Sequence, residues 1–400
     1  IVIELMNESK LIDLDKKYKT FEKSLIKLNR ELYNEPELGY QEFKSVEKIK
    51  EFLKNNTDIK SFKTSKSTKT GFIGSLNSKC RNHIAVCIEF DALPGVGHAC
   101  GHNIISTSGI GTIALLNEYI KKTNTKLSII GCPAEEILPL NLDNGGGGGK
   151  IRLINEGFFD GVDAALMIHP ATRNELNPLM IAVKQLDVIF HGKAAHASGS
   201  PYVGKNALDA QIQSYNAISN LRQHLLPTEK VHGIITDGGE SANIIPSYTR
   251  SSWMIRSQKT SGLKKLEKKV KDCFKSAALA TGCRVEILEG YSHYDNLVSN
   301  ETLTDLFEKN AKIVGRDMRR NTEYDQSKNG STDMGNVSKI IPSLHSFIQI
   351  VDDDGKVVNH QEEFAKASIT KRATNGIKDA SLIMALTVID IIENNYFNKL

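Results

Sequence analysis

Cys100 and His102 lie two residues apart in the glycine-rich stretch DALPGVGHACGHN, residues 91–103. On an α-helix this spacing directs the two side chains to nearly opposite sides, whereas on a loop both can face one ion. A thiolate and an imidazole together suit zinc, and manganese, cobalt or nickel also accept them. The stretch therefore predicts a metal site, and the alternative is a buried cysteine beside a hydrogen-bonded histidine.

Glu135 and Glu136 are adjacent and follow the apolar run KLSIIGCP. Two neighbouring carboxylates repel each other unless a cation or a proton intervenes. Consecutive side chains diverge on an extended backbone, so one carboxylate can bind a metal while the other takes a proton from water. Metal-assisted hydrolysis requires this division of roles. The alternative is an acidic pair on the surface.

His169 and His360 each follow a short β-like run, in DAALMIHP and VVNHQEEF. Either one alone would be interpreted as a structural histidine. Together with the cysteine, the first histidine and the acidic pair, they place metal-binding groups at the ends of four successive elements. This pattern favours one shared site.

Short β-like runs alternate with helical runs in the first part of the chain, which is the order of a parallel or mixed sheet with helices on both faces. In such sheets ligands bind at the carboxyl ends of the strands. Polar side chains follow three of the runs, at Glu89 and Asp91, at Glu135 and Glu136, and at His169. We therefore expect these side chains to meet at one edge of the sheet.

From about residue 180 the order changes to strand, helix, strand, strand, helix, strand, which predicts a ferredoxin-like βαββαβ unit. The first order returns after about residue 292. We therefore predict an α/β fold with two domains. Residues 1–179 and 293–400 would form a discontinuous mixed-sheet domain, and residues 180–292 would form an inserted smaller domain.

The composition excludes several classes of protein. The chain of 400 residues has 51 basic and 47 acidic side chains, a formal net charge of +4, and these charges are spread along it. No concentrated basic surface for nucleic acid is predicted. The run KKLEKKVKD has Leu266 and Val270 at helical spacing, which indicates a solvated helix face. No apolar run suits a membrane span or a secretory signal, so we expect a cytoplasmic protein.

The run NGGGGGK at 144–150 is similar to a phosphate-binding loop. However, Asn144 stands where that loop needs its first glycine, and Ile151 stands where serine or threonine should follow the lysine. We predict a flexible turn that enters a helix.

Seven stretches, in order along nearly the whole chain, resemble the family-twenty (clan MH) metallopeptidases. They are EFDALPGVGHACGHN, GCPAEE, GGGGGKIRLINEGFFDGVDAALMIHP, FHGKAAHASGSPYVGKNALDA, SANIIPS, GSTDMGNVS and VVNHQEEF. The resemblance is to the amidohydrolase subgroup of aminoacylases, aminobenzoyl-glutamate hydrolases, dipeptidase-like enzymes and indole-acetyl-amino-acid hydrolases. It implies a zinc-peptidase-like catalytic domain, an inserted lid through which two copies form a homodimer, and two divalent metal ions. Zinc or manganese is expected first, and cobalt or nickel is possible.

The matched motifs also imply roles for individual residues. The metal ligands would be Cys100, bridging the two ions, with His102, Glu136, His169 and His360. Glu135 corresponds to the general base and acid, and Asp91 to the carboxylate that orients a metal ligand. How the ligands divide between the two ions stays open from sequence.

Three residues of the predicted lid match further family positions. His196 corresponds to a histidine that reaches the partner subunit's active site and stabilises an oxyanion. Asn243 and Arg256 correspond to positions that hold the substrate's carboxylate or the oxyanion. The alternatives are a turn residue for His196, a turn or capping residue for Asn243, and a surface ion pair for Arg256.

The motifs predict an amidohydrolase that acts on N-acyl amino acids, aminobenzoyl-glutamate-like conjugates or dipeptides. Asn103 replaces an aspartate that many relatives have after Cys-Gly-His, which favours the aminobenzoyl-glutamate and dipeptidase-like branch. One alternative is a catalytically idle relative that binds a small molecule or serves as a dimeric scaffold. A zinc deaminase is a third hypothesis, but its H-x-E and P-C-x-x-C elements are missing.

Overall fold

The computed structural model describes residues 2–136, 148–321 and 330–400. Residues 144–147 of the predicted glycine-rich turn therefore lie outside the described residues. The helices are α1 Val2–Asn34, α2 Phe43–Asn56, α3 His102–Ile120, α4 Gly149–Asn155, α5 Ala207–Arg222, α6 Thr260–Thr281, α7 Glu301–Val314, α8 Met334–Ser338, α9 Glu362–Ala367 and α10 Lys371–Glu393. The strands are β1 Lys63–Thr64, β2 Phe72–Leu76, β3 Asn82–Glu89, β4 Thr125–Cys132, β5 Ala164–Ala171, β6 Ala182–His191, β7 Glu229–Asp237, β8 Tyr248–Ser257, β9 Arg284–Tyr294 and β10 Ser343–Gln349.

The strands form two sheets. The larger sheet has the order β1-β2-β4-β3-β5-β10, in which β4, β3, β5 and β10 run parallel and β1 and β2 are antiparallel additions at one edge. The predicted mixed-sheet α/β fold is therefore confirmed. The smaller sheet has the order β7-β8-β6-β9 and is antiparallel throughout. Its strand order and its two helices, α5 and α6, are those of a ferredoxin-like unit.

Helix α1 begins well before the helical pattern predicted from about residue 15. Its buried positions recur every three or four residues, which is the spacing of one helix face. They are Leu14, Tyr18, Phe21, Leu25, Leu28 and Leu32. This face packs with α3 and α10 over the larger sheet in the main apolar core. The smaller sheet has a separate core around Trp253, under α5 and α6.

Helix α3 fixes the loop that carries Cys100 and His102, because almost all of the helix is buried. Its glycines permit this close packing: a Cβ at Gly109 would lie 2.3 Å from Ile88 Cγ2, and one at Gly111 would lie 2.4 Å from Ser381 Oγ. Interiors are packed too densely to yield that much space. The first turn of α3 therefore has one position relative to β3.

The histidine of β3 gives the fold a testable pH dependence. His83 is buried, its Nε2 lies 2.7 Å from Ser128 Oγ, and burial lowers its pKa from 6.5 to about 4. The folded state keeps the ring neutral, so this stabilisation is complete above pH 6.5 and is lost as the pH falls through 4. The shift corresponds to about 3 kcal/mol. In urea titrations between pH 7 and 4, His83→Gln should lose about 3 kcal/mol less stability than the wild type. Parallel stability curves for the two proteins would contradict the assignment.

In the described part of the chain, no helix combines the length and apolar character needed to cross a membrane. The expected cytoplasmic location stays a prediction.

Candidate metal centre

Five of the predicted donors meet at the carboxyl end of the parallel strands. Three of the elements that carry them are the loop into α3, the end of β5 and the loop before α9. The fourth is the segment after β4, which holds both glutamates. In one group, Cys100, His102 and His169 offer ligand atoms that all lie within 4.8 Å of one another, and Cys100, Glu136 and His360 form a second group of the same kind. The structure thus brings together all five predicted donors, and Cys100 belongs to both groups.

Asp91 determines which nitrogen of His102 is free. Its Oδ1 lies 2.9 Å from His102 Nδ1, and its Oδ2 accepts a hydrogen bond of 3.0 Å from the Glu136 backbone N–H. Burial acts to raise the pKa of Asp91, but the His102 ring outweighs it, so this pKa lies below its ordinary value. The neutral His102 ring therefore has its proton on Nδ1 and its lone pair on Nε2, which is the form that binds a metal.

His169 is oriented in a similar way by the backbone. Its Nδ1 lies 2.7 Å from the Pro170 carbonyl oxygen, so this nitrogen donates and Nε2 has the lone pair. Nε2 lies 3.4 Å from Cys100 Sγ. Burial, assisted by the nearby His102 ring, lowers the pKa of His169 to about 4, which keeps the ring neutral at pH 7. Burial also raises the pKa of the Cys100 thiol, and Glu136 adds to this effect. A cation nearby would favour the thiolate.

His360 approaches the second group from a strained loop. Its φ of 73° lies in the left-handed region, which costs a residue other than glycine on the order of 1–3 kcal/mol. A backbone hydrogen bond of 2.8 Å to the Ala99 carbonyl holds this conformation. The ring's Nε2 lies 3.3 Å from Glu136 Oε1, and this contact raises the pKa of His360. Its side chain is 56% exposed, whereas that of His102 is fully buried.

Glu135 lies on a backbone held from several sides. Tyr294 on β9 donates a hydrogen bond of 2.6 Å from its hydroxyl to the Glu135 carbonyl. The preceding residue, Ala134, has a φ of 49° and donates its N–H to Glu42 Oε1 at 2.9 Å. Burial raises the pKa of the Glu135 carboxyl well above its ordinary value, and the charges of Glu89 and Glu136 raise it further. A raised pKa is the property that a general base with a later acid role requires.

The donor set fits a divalent ion on its own chemistry. Among the described residues, three buried side-chain atoms at this edge have no hydrogen-bond partner: Glu89 Oε2, His102 Nε2 and Glu136 Oε1. Buried polar atoms are almost always satisfied, so several unsatisfied acceptors facing one point indicate a cation. Thiolate, imidazole and carboxylate together suit zinc and tolerate manganese, cobalt or nickel.

A buried ionic network beneath the centre has no counterpart among the sequence predictions. The fully buried Lys150 ammonium contacts Glu89 Oε1, and it lies 2.5 Å from Asp333 Oδ1. This lysine is the last residue of the NGGGGGK run, and its pKa is well above the ordinary value because these carboxylates outweigh the effect of burial. It is therefore an ion-pair partner rather than a phosphate ligand. No local signal reveals this role, because the carboxylates are 61 and 183 residues away.

A cavity of about 740 Å³ opens onto this centre and is lined by residues from both sheets. Glu135 lies on its wall from the first sheet's side, while Met254 and Arg256 on β8 line it from the second. Arg256 donates to Ser331 Oγ at 3.1 Å. Among the described residues no carboxylate forms an ion pair with it, so its guanidinium can accept one from a substrate. The volume is typical of a small-molecule site.

His196 and Asn243 lie together on exposed loops of the second unit and do not line this cavity. The Ala197 N–H donates to the Asn243 carbonyl at 3.0 Å. His196 Nδ1 accepts backbone hydrogen bonds from Ser198 and Gly199. The neutral ring therefore has its proton on Nε2 and offers an outward-facing donor.

This arrangement of buried metal donors, a free glutamate and a substrate-sized cavity is that of a metal-dependent hydrolase. The chain belongs to peptidase family M20/M25/M40, whose family model matches residues 85–375. The resemblance recognised in the sequence is thereby confirmed.

Named relatives and solved structures agree with this assignment. The chain is 34% identical over 377 residues to a mouse Xaa-Arg dipeptidase, covering 91% of this chain and 85% of that protein. It is 29% identical to one of the chains of the p-aminobenzoyl-glutamate hydrolase of Escherichia coli, over 64% of this chain and 55% of that one. A dinuclear metal-binding M20 peptidase from Bacillus subtilis shares the fold, with a TM-score of 0.69, 21% identity, and coverage of 94% and 99%. The protein is thus an enzyme that hydrolyses amide bonds with the help of divalent metal.

Proposed function

We propose that this protein is a dinuclear amidohydrolase that releases an amino acid with a free carboxylate from dipeptides, N-acyl amino acids or aminobenzoyl-glutamate-like conjugates. The observation that carries the proposal is the cavity wall on which the Glu135 carboxyl lies beside two donor groups that share Cys100. The 34% identity to a mouse Xaa-Arg dipeptidase makes dipeptides ending in arginine the first substrates to test.

The two donor groups suggest how the ligands divide. One ion would be held by Cys100, His102 and His169, and the other by Cys100, Glu136 and His360. Zinc or manganese is the first expectation, and cobalt or nickel is possible. Asp91 keeps the Nε2 lone pair of His102 available. Bound ions would supply Lewis acidity toward water and toward the substrate's carbonyl oxygen.

Glu135 then moves the proton. Its carboxylate takes a proton from the attacking water and delivers it to the leaving amide nitrogen. The Tyr294 hydroxyl and Glu42, through Ala134, hold the backbone that positions this carboxylate. Arg256 would bind the substrate's carboxylate as a paired guanidinium.

The second unit would act as a lid and as the contact between two copies. We assign residues 180–292 to it, and residues 1–179 and 293–400 to the catalytic domain. His196 and Asn243 face away from the cavity of their own chain, so a role in catalysis requires that they reach the partner's cavity. There the His196 Nε2–H would donate to the developing oxyanion, and Asn243 would hold the oxyanion or the substrate's carboxylate.

The test is hydrolysis by metal-free protein to which zinc, manganese, cobalt or nickel is restored. The substrates are Xaa-Arg dipeptides, N-acyl amino acids and aminobenzoyl-glutamate. Each active dipeptide is paired with its C-terminal amide, which lacks the carboxylate. We expect turnover only after metal is restored, and a strong preference for the free acid. A protein that binds two ions and hydrolyses none of these compounds would refute the proposal.

Mixing two inactive variants tests whether His196 acts on the partner. Glu135→Gln and His196→Ala chains, unfolded and refolded together, should recover about a quarter of wild-type activity. Half of randomly formed dimers are mixed, and each mixed dimer has one intact site of two. Each variant refolded alone is the control. A mixture as inactive as both parents would place His196 in its own site or outside catalysis.

A further inference from the structure

Glu89, at the end of β3, is a carboxylate that the proposed ligand set does not use. It is 1% exposed, and only one of its oxygens has a partner, the Lys150 ammonium on Oε1. Oε2 has no hydrogen-bond partner among the described residues and lies 3.5 Å from His102 Nε2, which has none either. Two buried, unsatisfied atoms therefore face each other beside the metal centre.

A direct hydrogen bond does not explain this pair. N–H···O bonds in proteins span 2.7–3.2 Å, so the distance of 3.5 Å is too long. Because His102 Nδ1 is turned to Asp91, the neutral ring presents a lone pair toward a carboxylate lone pair. Glu89, His102 and Glu135 form a third group whose ligand atoms all lie within 4.8 Å of one another. A cation between them would satisfy all these acceptors.

The charges of the two proposed ion positions point the same way. Both positions share the Cys100 thiolate, and the second also has the Glu136 carboxylate. The first otherwise has only two neutral imidazoles, from His102 and His169. A divalent ion in a buried site needs anionic ligands to offset the loss of hydration. Glu89 is the carboxylate that would give the first position the same charge as the second.

Building on the proposed dinuclear function, we propose that Glu89 is a further metal-directed carboxylate, which completes the ion position of Cys100, His102 and His169 through Oε2. Lys150 and Asp333 are its positioning residues. The ammonium binds Glu89 Oε1 on one side and Asp333 Oδ1 on the other. It thereby leaves Glu89 a single free oxygen and fixes the direction in which that oxygen points.

The test compares two variants that each remove one carboxylate from Lys150. Metal-free wild type, Glu89→Gln and Asp333→Asn are titrated with cobalt(II), whose visible absorption reports on its ligands, and affinities are measured by chelator competition. We expect Glu89→Gln to bind one of two ions about 10–100-fold more weakly and to alter that ion's spectrum. Asp333 belongs to none of the donor groups, so Asp333→Asn should retain both affinities. Glu89→Asp, which keeps the charge, should bind more tightly than Glu89→Gln and serves if that variant does not fold.

Two results would overturn the inference. Wild-type affinities for both ions in Glu89→Gln would remove Glu89 from the site, and equal losses in Glu89→Gln and Asp333→Asn would reduce its role to support of the fold. Either result is compatible with an active, two-ion wild type, so it leaves the proposed function intact. A wild type with two ions and no hydrolysis would refute the proposed function and not the role of Glu89.

Discussion

Replacing Glu135 by glutamine is expected to lower kcat by about a hundredfold to ten-thousandfold, the usual contribution of a positioned general base. Glutamine has nearly the same shape, so the backbone contacts with Tyr294 and Glu42 should persist. What is lost is the ability to take a proton from water and pass it to the leaving nitrogen. The measurement is steady-state hydrolysis of the best substrate, together with the metal content of the purified variant.

Glu136→Gln is the matched control, because it removes the neighbouring carboxylate by the same chemical change. Glu136 Oε1 lies 3.3 Å from His360 Nε2, so this variant should lose affinity for one ion. Its activity should return at high metal concentration, whereas that of Glu135→Gln should not. Recovery of Glu135→Gln by added metal would make Glu135 a ligand instead of the base.

Replacing Lys150 by methionine is expected to lower the free energy of unfolding by about 3–5 kcal/mol. The side chain is fully buried between Glu89 and Asp333, so its removal leaves two carboxylates in the interior without their cation. Methionine fills a similar volume, which separates the loss of charge from the loss of packing. Urea unfolding of the metal-free proteins measures the difference.

Lys268→Met provides the comparison on the surface. Lys268 Nζ lies 3.3 Å from Asp272 in an i,i+4 pair whose side chains are 81% and 56% exposed. Water already screens that pair, so we expect a change below about 1 kcal/mol. If Lys150→Met were as mild as this control, the network beneath the metal centre would not need its lysine.

The fold is largely predictable because its elements have local signals. The apolar spacing of α3 and α6, and the β-like runs that end in polar residues, indicate helices and strands without reference to the rest of the chain. The strand order of the smaller sheet also matches the predicted βαββαβ unit. The start of α1 is earlier than its pattern predicts, because its apolar face packs against α3 and α10, and such tertiary contacts are not visible locally.

The donors of the centre are identifiable from sequence because cysteine, histidine and paired glutamates are unusual at strand ends. The residues that hold them in place are not. Tyr294 reaches the Glu135 carbonyl across 159 residues of sequence, and Lys150 lies in a run whose glycines suggest another function. Such roles depend on which side chains the fold brings into contact, and a single sequence contains no local signal of that contact.

The different exposure of the two histidines, 56% for His360 and none for His102, has a kinetic consequence. Exchange of an ion at the buried position requires local opening of the protein, whereas solvent reaches the position at His360 directly. The outer ion would then be the last to enter and the first to leave. At limiting metal supply the enzyme would pass through a state with only the inner ion. Its activity would follow the free metal concentration in its surroundings through the residence time of the outer ion.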